Sequence, residues 1–129
     1  MEELAEHVKE LFKISCRFEA EGETPTLDAT IINQLYKIAQ EAVTNAIKHG
    51  KAKKVLIHLQ SISEGLVLSI QNDGKPFPDL NSQNTGMGLR IMYYRASLIG
   101  ASLEIKGTGE SGTRVSCSLP LEGKANAVA

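Results

Sequence analysis

Apolar residues recur along this chain in two rhythms, one of 3.6 residues and one of two, and the changes of rhythm mark out its elements. Residues 2 to 13 place Leu4, Val8, Leu11 and Phe12 at helical spacing, with Glu2, Glu3, Glu6, Lys9 and Glu10 on the other side, which predicts a short amphipathic helix. Ser15 to Glu21 alternates weakly through Cys16, Phe18 and Ala20 and runs into Glu21-Gly22-Glu23-Thr24-Pro25, which predicts a strand at a sheet edge followed by a loop. The strongest helical period extends from about Leu27 to Lys48, carried by Ile31, Ile32, Leu35, Ile38, Ala39, Ala42, Val43, Ala46 and Ile47, and it ends near His49-Gly50 with Gly50 as C-cap. Lys53 to Gln60 and Leu66 to Gln71 alternate with period two across Ser61 to Gly65, predicting an antiparallel hairpin. After Asn72-Asp73-Gly74-Lys75-Pro76 and a polar loop from Phe77 to Thr85, a second long helix is expected over Leu89 to Ile99, with Gly100 just beyond it. Leu103/Ile105 and Val115/Cys117/Leu119 then alternate across a glycine-rich turn, Lys106 to Gly112, as a second hairpin.

Strands that alternate apolar with polar bury one face only, and the two long helices are available to cover it. The expected fold is an α/β two-layer sandwich with a mixed, largely antiparallel sheet. The chain has 129 residues, which suits one domain over residues 1 to 121; the pattern-free stretch 122 to 129 is expected to be a disordered tail. Fourteen basic residues stand against fifteen acidic ones, with no block of like charge, so neither nucleic acid nor a membrane surface is expected as a direct partner. No apolar run approaches the roughly 20 residues of a membrane span, and the acidic, amphipathic N-terminus is unlike a signal peptide, so a soluble cytoplasmic domain is expected. Cys16 and Cys117 lack any metal-ligand or redox spacing and read as small apolar fillers.

Four short stretches could carry chemistry. Gly107-Thr108-Gly109-Glu110-Ser111-Gly112 matches the GxGxxG string of dinucleotide-binding proteins, but it lies between two strands where that fingerprint requires a following helix; a hairpin turn explains it better. On the long helix Glu41, Asn45 and His49 recur at i, i+4 and i+8 with Lys48 beside them, at the margin of the apolar arc. An ordinary solvated stripe gives the same pattern. Read as a site, it offers an asparagine oxygen that suits Mg²⁺, donors for phosphate oxygens in Lys48 and His49, and a carboxylate in Glu41. Gly86-Met87-Gly88-Leu89 opens a helix after a polar loop, where backbone N–H groups can approach an anion; such a joint is equally common without a ligand. Asn72-Asp73-Gly74 at a strand end is a turn by default, and Thr113 an ordinary strand residue.

The order and spacing of these stretches (QEAVTNAIKHG, NDGKPF, GMGLRIMYYRASLIGASLEI, GTRVSCSLP) resemble the ATP-binding catalytic domain of sensor histidine kinases, whose GHKL ATPase fold is shared with gyrase and MutL. The phrases QEAxxNxxKH, GxGLxxM and GTxxxxxLP are most similar to the kinases that signal to response regulators with a helix-turn-helix output domain. The resemblance covers about residues 1 to 121 and implies ATP and Mg²⁺ as ligands. It implies that Asn45 binds Mg²⁺ bridging the phosphates, that Lys48 and His49 lie near those phosphates, and that Glu41 supports metal, water or catalysis. It also implies that the backbone of Gly86, Met87, Gly88 and Leu89 cradles phosphate, that residues 75 to 85 form a lid, and that Thr113 assists adenine binding.

One departure stands out. The family pattern Asp-x-Gly-x-Gly is met here by Asn72, Asp73, Gly74, Lys75 and Pro76, so the residue that accepts from the adenine amino group is an asparagine. Its carbonyl still accepts and its NH₂ can donate to the adjacent ring nitrogen, without charge assistance and therefore with binding weaker by about 1 kcal/mol. A flipped amide would suit guanine instead. No dimerising hairpin with a phosphoacceptor histidine accompanies these motifs, since His7 precedes Val8, His49 belongs to the nucleotide stretch and His58 lies in a strand. The resemblance thus implies an excised domain that phosphorylates a histidine on a dimerisation domain of its parent, with a response regulator downstream. The alternatives are an anti-sigma-factor-type serine kinase of the same fold and a degenerate, non-catalytic nucleotide-binding or docking module.

Overall fold

Glutamates in the first turn and Lys9 in the last suit the dipole of α1 (Glu2–Phe12), which stops where Lys13 turns left-handed at φ 58°. The computed structural model describes residues 1–75, 86–107 and 112–121. Along them follow β1 (Ser15–Glu21), α2 (Ala29–Lys48), β2 (Lys54–Ile62), β3 (Gly65–Asn72), α3 (Gly86–Leu98), β4 (Ser102–Gly107) and β5 (Thr113–Pro120). These match the expected elements, including the hairpin across the GxGxxG stretch, where Gly107 pairs with Thr113.

The strands form one sheet in the order β1-β2-β3-β5-β4. β2, β3, β5 and β4 pair antiparallel, while β1 lies at an edge and runs parallel to β2. Parallel neighbours need a long crossover, and α2 supplies it. The strand register lines up Ile57, Ile70 and Val115, then Leu59, Leu68 and Cys117, toward the helices. Against them pack Ile38, Ala42, Val43 and Ala46 from α2 and Leu89, Met92 and Ala96 from α3, all buried. The other face is polar. One continuous rung across it reads Arg17, Leu56, Gln71, Arg114 and Lys106, and the Arg114 guanidinium donates to Gln71 Oε1 at 3.1 Å.

Three departures from expectation stand out, the first two with packing causes. The long helices do not cover the sheet alone, because α1 buries Leu4, Ala5 and Val8 beside β1. Its apolar stripe outruns that contact, leaving Leu11 60% exposed, and Ile32 at the start of α2 is likewise 52% exposed. α3 starts at Gly86, three residues before the apolar pattern does, although two glycines weaken its first turn.

Helix ends show how local and tertiary demands divide. Asp28 caps α2, its carboxylate accepting the Thr30 N–H at 2.9 Å. α3 closes on a Schellman motif: Ala101 N–H donates to the Ala96 carbonyl, Gly100 N–H to the Ser97 carbonyl, and Gly100 takes φ +71°. Gly50 does not cap α2 in this way. His49 is the cap residue with right-handed backbone, and the left-handed position falls on Lys51 at φ 54°. Glycine at 50 answers to packing, since a Cβ there would lie 2.8 Å from the Ala46 carbonyl oxygen and 3.2 Å from that of Lys75.

Candidate functional site

The flank of α2 that carries Glu41 and Asn45 faces α3. Near one end Arg95 Nη1 donates to Gln34 Oε1 at 3.0 Å, and near the other a Cβ on Gly88 would lie 2.9 Å from Glu41 Oε2 and 3.1 Å from Asn45 Nδ2. The two helices therefore run in opposite directions, with the first turn of α3 resting on the Glu41 and Asn45 side chains. Any larger residue at 88 would displace them. The N–H groups of a first helical turn have no intrahelical acceptor, so this turn sets backbone donors beside a carboxylate and an amide. Asn45 is buried to 7% exposure, and its carbonyl accepts from both His49 and Gly50 N–H at 2.9 and 3.2 Å. Lys48 and His49 are exposed at the C-terminal end of the same helix. Leu89, by contrast, sends its side chain into the core at 6% exposure, so only its backbone is available to a ligand.

A second group forms where β3 ends beside β5. Asn72 and Thr113 pair in register, and both are buried. The Asn72 amide is held at both ends: Gly74 N–H donates to Oδ1 at 2.8 Å, and Nδ2 donates to the Thr113 carbonyl at 3.3 Å. Flipping it would set the NH₂ against the Gly74 N–H and the oxygen against the Thr113 carbonyl, replacing two bonds by two repulsions. The geometry thus opposes the flip on which a guanine reading depends.

Asp73 points elsewhere. Its Oδ1 accepts the N–H groups of Lys53 and Lys54, both at 2.9 Å, which ties the turn to the start of β2. Desolvation alone would raise the Asp73 carboxyl; the backbone N–H groups of Lys54, Lys53 and Asp73 itself, with the Lys54 charge, outweigh it and hold the pKa below the usual value.

The two groups are joined at the end of α2. Lys75 N–H donates to the Gly50 carbonyl at 2.7 Å, and a Cβ on Gly74 would lie 2.5 Å from that same oxygen. Gly50 is the residue whose part here the sequence leaves hidden, because a glycine just past a helix reads as a cap until Lys75 is seen against it. The expected lid lies outside the described residues beyond Lys75, as do 108–111 and the expected tail 122–129. Among the described residues no helix is long and apolar enough to cross a membrane.

A model of histidine kinase-, DNA gyrase B- and HSP90-like ATPases matches residues 30–123. Sensor protein VraS of Staphylococcus saprophyticus is 38% identical over 91 residues, covering 70% of this chain and 26% of that protein. VraS of Staphylococcus epidermidis is 35% identical over 96 residues, covering 74% and 28%. The chain spans about a quarter of the length of these curated relatives. Among solved structures, the ATP-binding domain of PrrB from Mycobacterium tuberculosis superposes with TM-score 0.70 at 22% identity, covering 92% of this chain and 89% of that one. The catalytic domain of the histidine kinase ThkA gives 0.66 at 23%, covering 92% and 91%. Likeness at these identities speaks for the fold.

Proposed function

The chain belongs to the histidine kinase-, DNA gyrase B- and HSP90-like ATPases, and from that premise we propose that it is the ATP-binding catalytic domain of a two-component sensor histidine kinase. It binds Mg-ATP and presents the γ-phosphoryl group to a histidine on a separate dimerisation domain, from which a response regulator is served. The observation that carries this reading is the contact of Gly88 with Glu41 and Asn45, which gathers two stretches more than forty residues apart into one place suited to phosphate.

The residues fit a metal carried in by its nucleotide. Among the described residues no cluster of three or more His, Cys, Asp or Glu could hold an ion unaided. Mg²⁺ commonly takes one or two protein oxygens and completes its shell with phosphate and water, and here the side-chain amide oxygen of Asn45 with the Glu41 carboxylate would supply the protein's share. Bound there, the ion would neutralise charge on the phosphates. The chain's own part is placement. The Gly86–Leu89 backbone donates to phosphate oxygens, Lys48 and His49 add donors at the rim, and Glu41 orients water or the acceptor. Asn72 and Thr113 hold the base at the sheet end, with Gly74 fixing the Asn72 oxygen.

Asn45→Ala tests this. Calorimetry is expected to show Mg-dependent ATP binding abolished, with an unchanged circular dichroism spectrum; unchanged Mg-ATP affinity would sink the assignment. Wild-type protein that binds no ATP would leave the docking-module alternative standing. With a dimerisation hairpin supplied in trans, the phosphoryl group should arrive as an acid-labile phosphohistidine, whereas the serine-kinase alternative yields an acid-stable ester.

A further inference from the structure

We infer that the polar face of the sheet is a self-complementary docking surface, on which a second copy of this chain packs back to back. Two adjacent rungs of that face carry opposite charge. In the first, Arg17, Leu56, Gln71, Arg114 and Lys106 lie in register, so both edge strands and β5 contribute cations. In the next, two residues along each strand, Glu19, His58, Ser69, Ser116 and Glu104 lie in register, with a carboxylate on each edge strand. Lys106 and Arg114 stand directly opposite one another, an arrangement that costs stability unless an anion approaches. The chain's own carboxylates answer this only weakly. Arg17 Nη2 meets Glu19 Oε2 at 3.3 Å and Lys106 Nζ meets Glu104 Oε1 at 3.5 Å, and all four side chains are exposed, where such pairs contribute little.

A two-fold axis parallel to the rungs and midway between these rows turns the sheet over onto a copy of itself, keeps each strand's place along the rung and exchanges the rows. Arg17 then faces Glu19 of the second copy, Lys106 faces Glu104 and Arg114 faces Ser116, each contact being made twice. Charge is matched at both edges, and the uncharged Leu56, Gln71 and Ser69 meet in the middle. The face also has room for interdigitating side chains: hollows of about 400, 480 and 340 Å³ open on it, and Gln71 lines all three. Five strands about 4.8 Å apart, over these few rows, give on the order of 500 Å² per copy and about 1,000 Å² in all, at the low end for a specific interface. Such a dimer is weak and sensitive to salt. Two copies tethered to one dimerisation domain would meet at high effective concentration, which brings weak pairing into range. The core helices pack on the opposite face, so this pairing leaves the contact of Gly88 with Glu41 and Asn45 outside the interface.

The experiment is sedimentation equilibrium on the wild-type chain at micromolar to millimolar concentration, in low and in high salt, with two charge-reversed variants checked for folding by thermal unfolding. Arg17→Glu/Lys106→Glu makes both rows acidic at the sheet edges, and Glu19→Arg/Glu104→Lys makes both basic. Wild-type protein is expected to dimerise reversibly, with dissociation weakened roughly tenfold in low salt relative to high. Each variant alone should remain monomeric, and an equimolar mixture should form a heterodimer at least as tight as the wild-type dimer. A control variant, Glu3→Lys/Glu10→Arg, places the same basic charge on α1, away from this face; if it pairs with the acidic variant equally well, bulk charge is responsible and the inference fails. A wild-type chain that stays monomeric throughout also overturns it. So does a dimer that survives in both variants, which must use another surface, such as the exposed Tyr94 and Leu98 of α3. Nucleotide affinity should be the same in wild type and both variants, so the outcome here is independent of the nucleotide reading.

Discussion

A Cβ at Gly88 would lie 2.9 Å from Glu41 Oε2, whereas one at Gly100 would meet nothing within 4 Å but would have to adopt φ +71°. The first glycine answers to the site and the second to the backbone. Gly88→Ala is accordingly expected to weaken Mg-ATP binding by tenfold or more, in the range of about 1.4 kcal/mol, with a small change in melting temperature. Gly100→Ala should cost about 1 kcal/mol of stability and leave nucleotide affinity untouched. Calorimetry and thermal unfolding on the pair separate the two roles, and matching effects on both quantities would contradict the assignment. Asp73 belongs to this scale too. Its pKa is depressed on folding, so its contribution is present above the ordinary value of 3.8 and is lost as pH falls through the lower folded value. Asp73→Ala should lower stability at neutral pH by about 1 kcal/mol and flatten the acid limb of a stability-against-pH curve.

Among the elements, the end of α2 bears the heaviest constraint. The carbonyl of Gly50 receives the Lys75 N–H at 2.7 Å, and Gly74 packs on the same atom, so the helix that carries Asn45 and the turn that carries Asn72 share one backbone junction. Gly50→Ala is expected to destabilise the fold by about 1–3 kcal/mol, as overpacking does, and also to weaken nucleotide binding, because the junction can relax only by moving α2 against the turn. A loss of stability with unaltered affinity would show that the two halves of the site are independent. Elsewhere two helix ends are set by local signals, the Asp28 cap at the start of α2 and the Schellman turn after α3.

At the scale of the whole molecule, the single-sided core explains the behaviour of both cysteines. Burial pushes the Cys117 thiol up to about 11, and it raises Cys16 as well, with Lys9 opposing. Neither should react with a thiol reagent at pH 8 until the chain unfolds, and both should then react together; early labelling of one would reveal local opening of its strand. Most of the architecture was legible in the sequence because periodicity is a local property: a strand or helix that buries one face must repeat its apolar residues, whatever lies opposite. The alternation of Val55, Ile57 and Leu59, or of Val115, Cys117 and Leu119, therefore identified strands and their buried side, and the spacing of Glu41, Asn45 and His49 identified one flank of one helix. Contacts between distant segments are not local. That Gly88 would rest on Glu41 and Asn45, that Gly50 serves Lys75 rather than capping α2, that Asp73 turns to Lys53 and Lys54, and that the Asn72 amide is pinned in one orientation were decided only when the sheet and its helices packed. Each depends on a separation of a few ångströms fixed by the sum of many packing contacts, and no residue pattern within one segment records that sum.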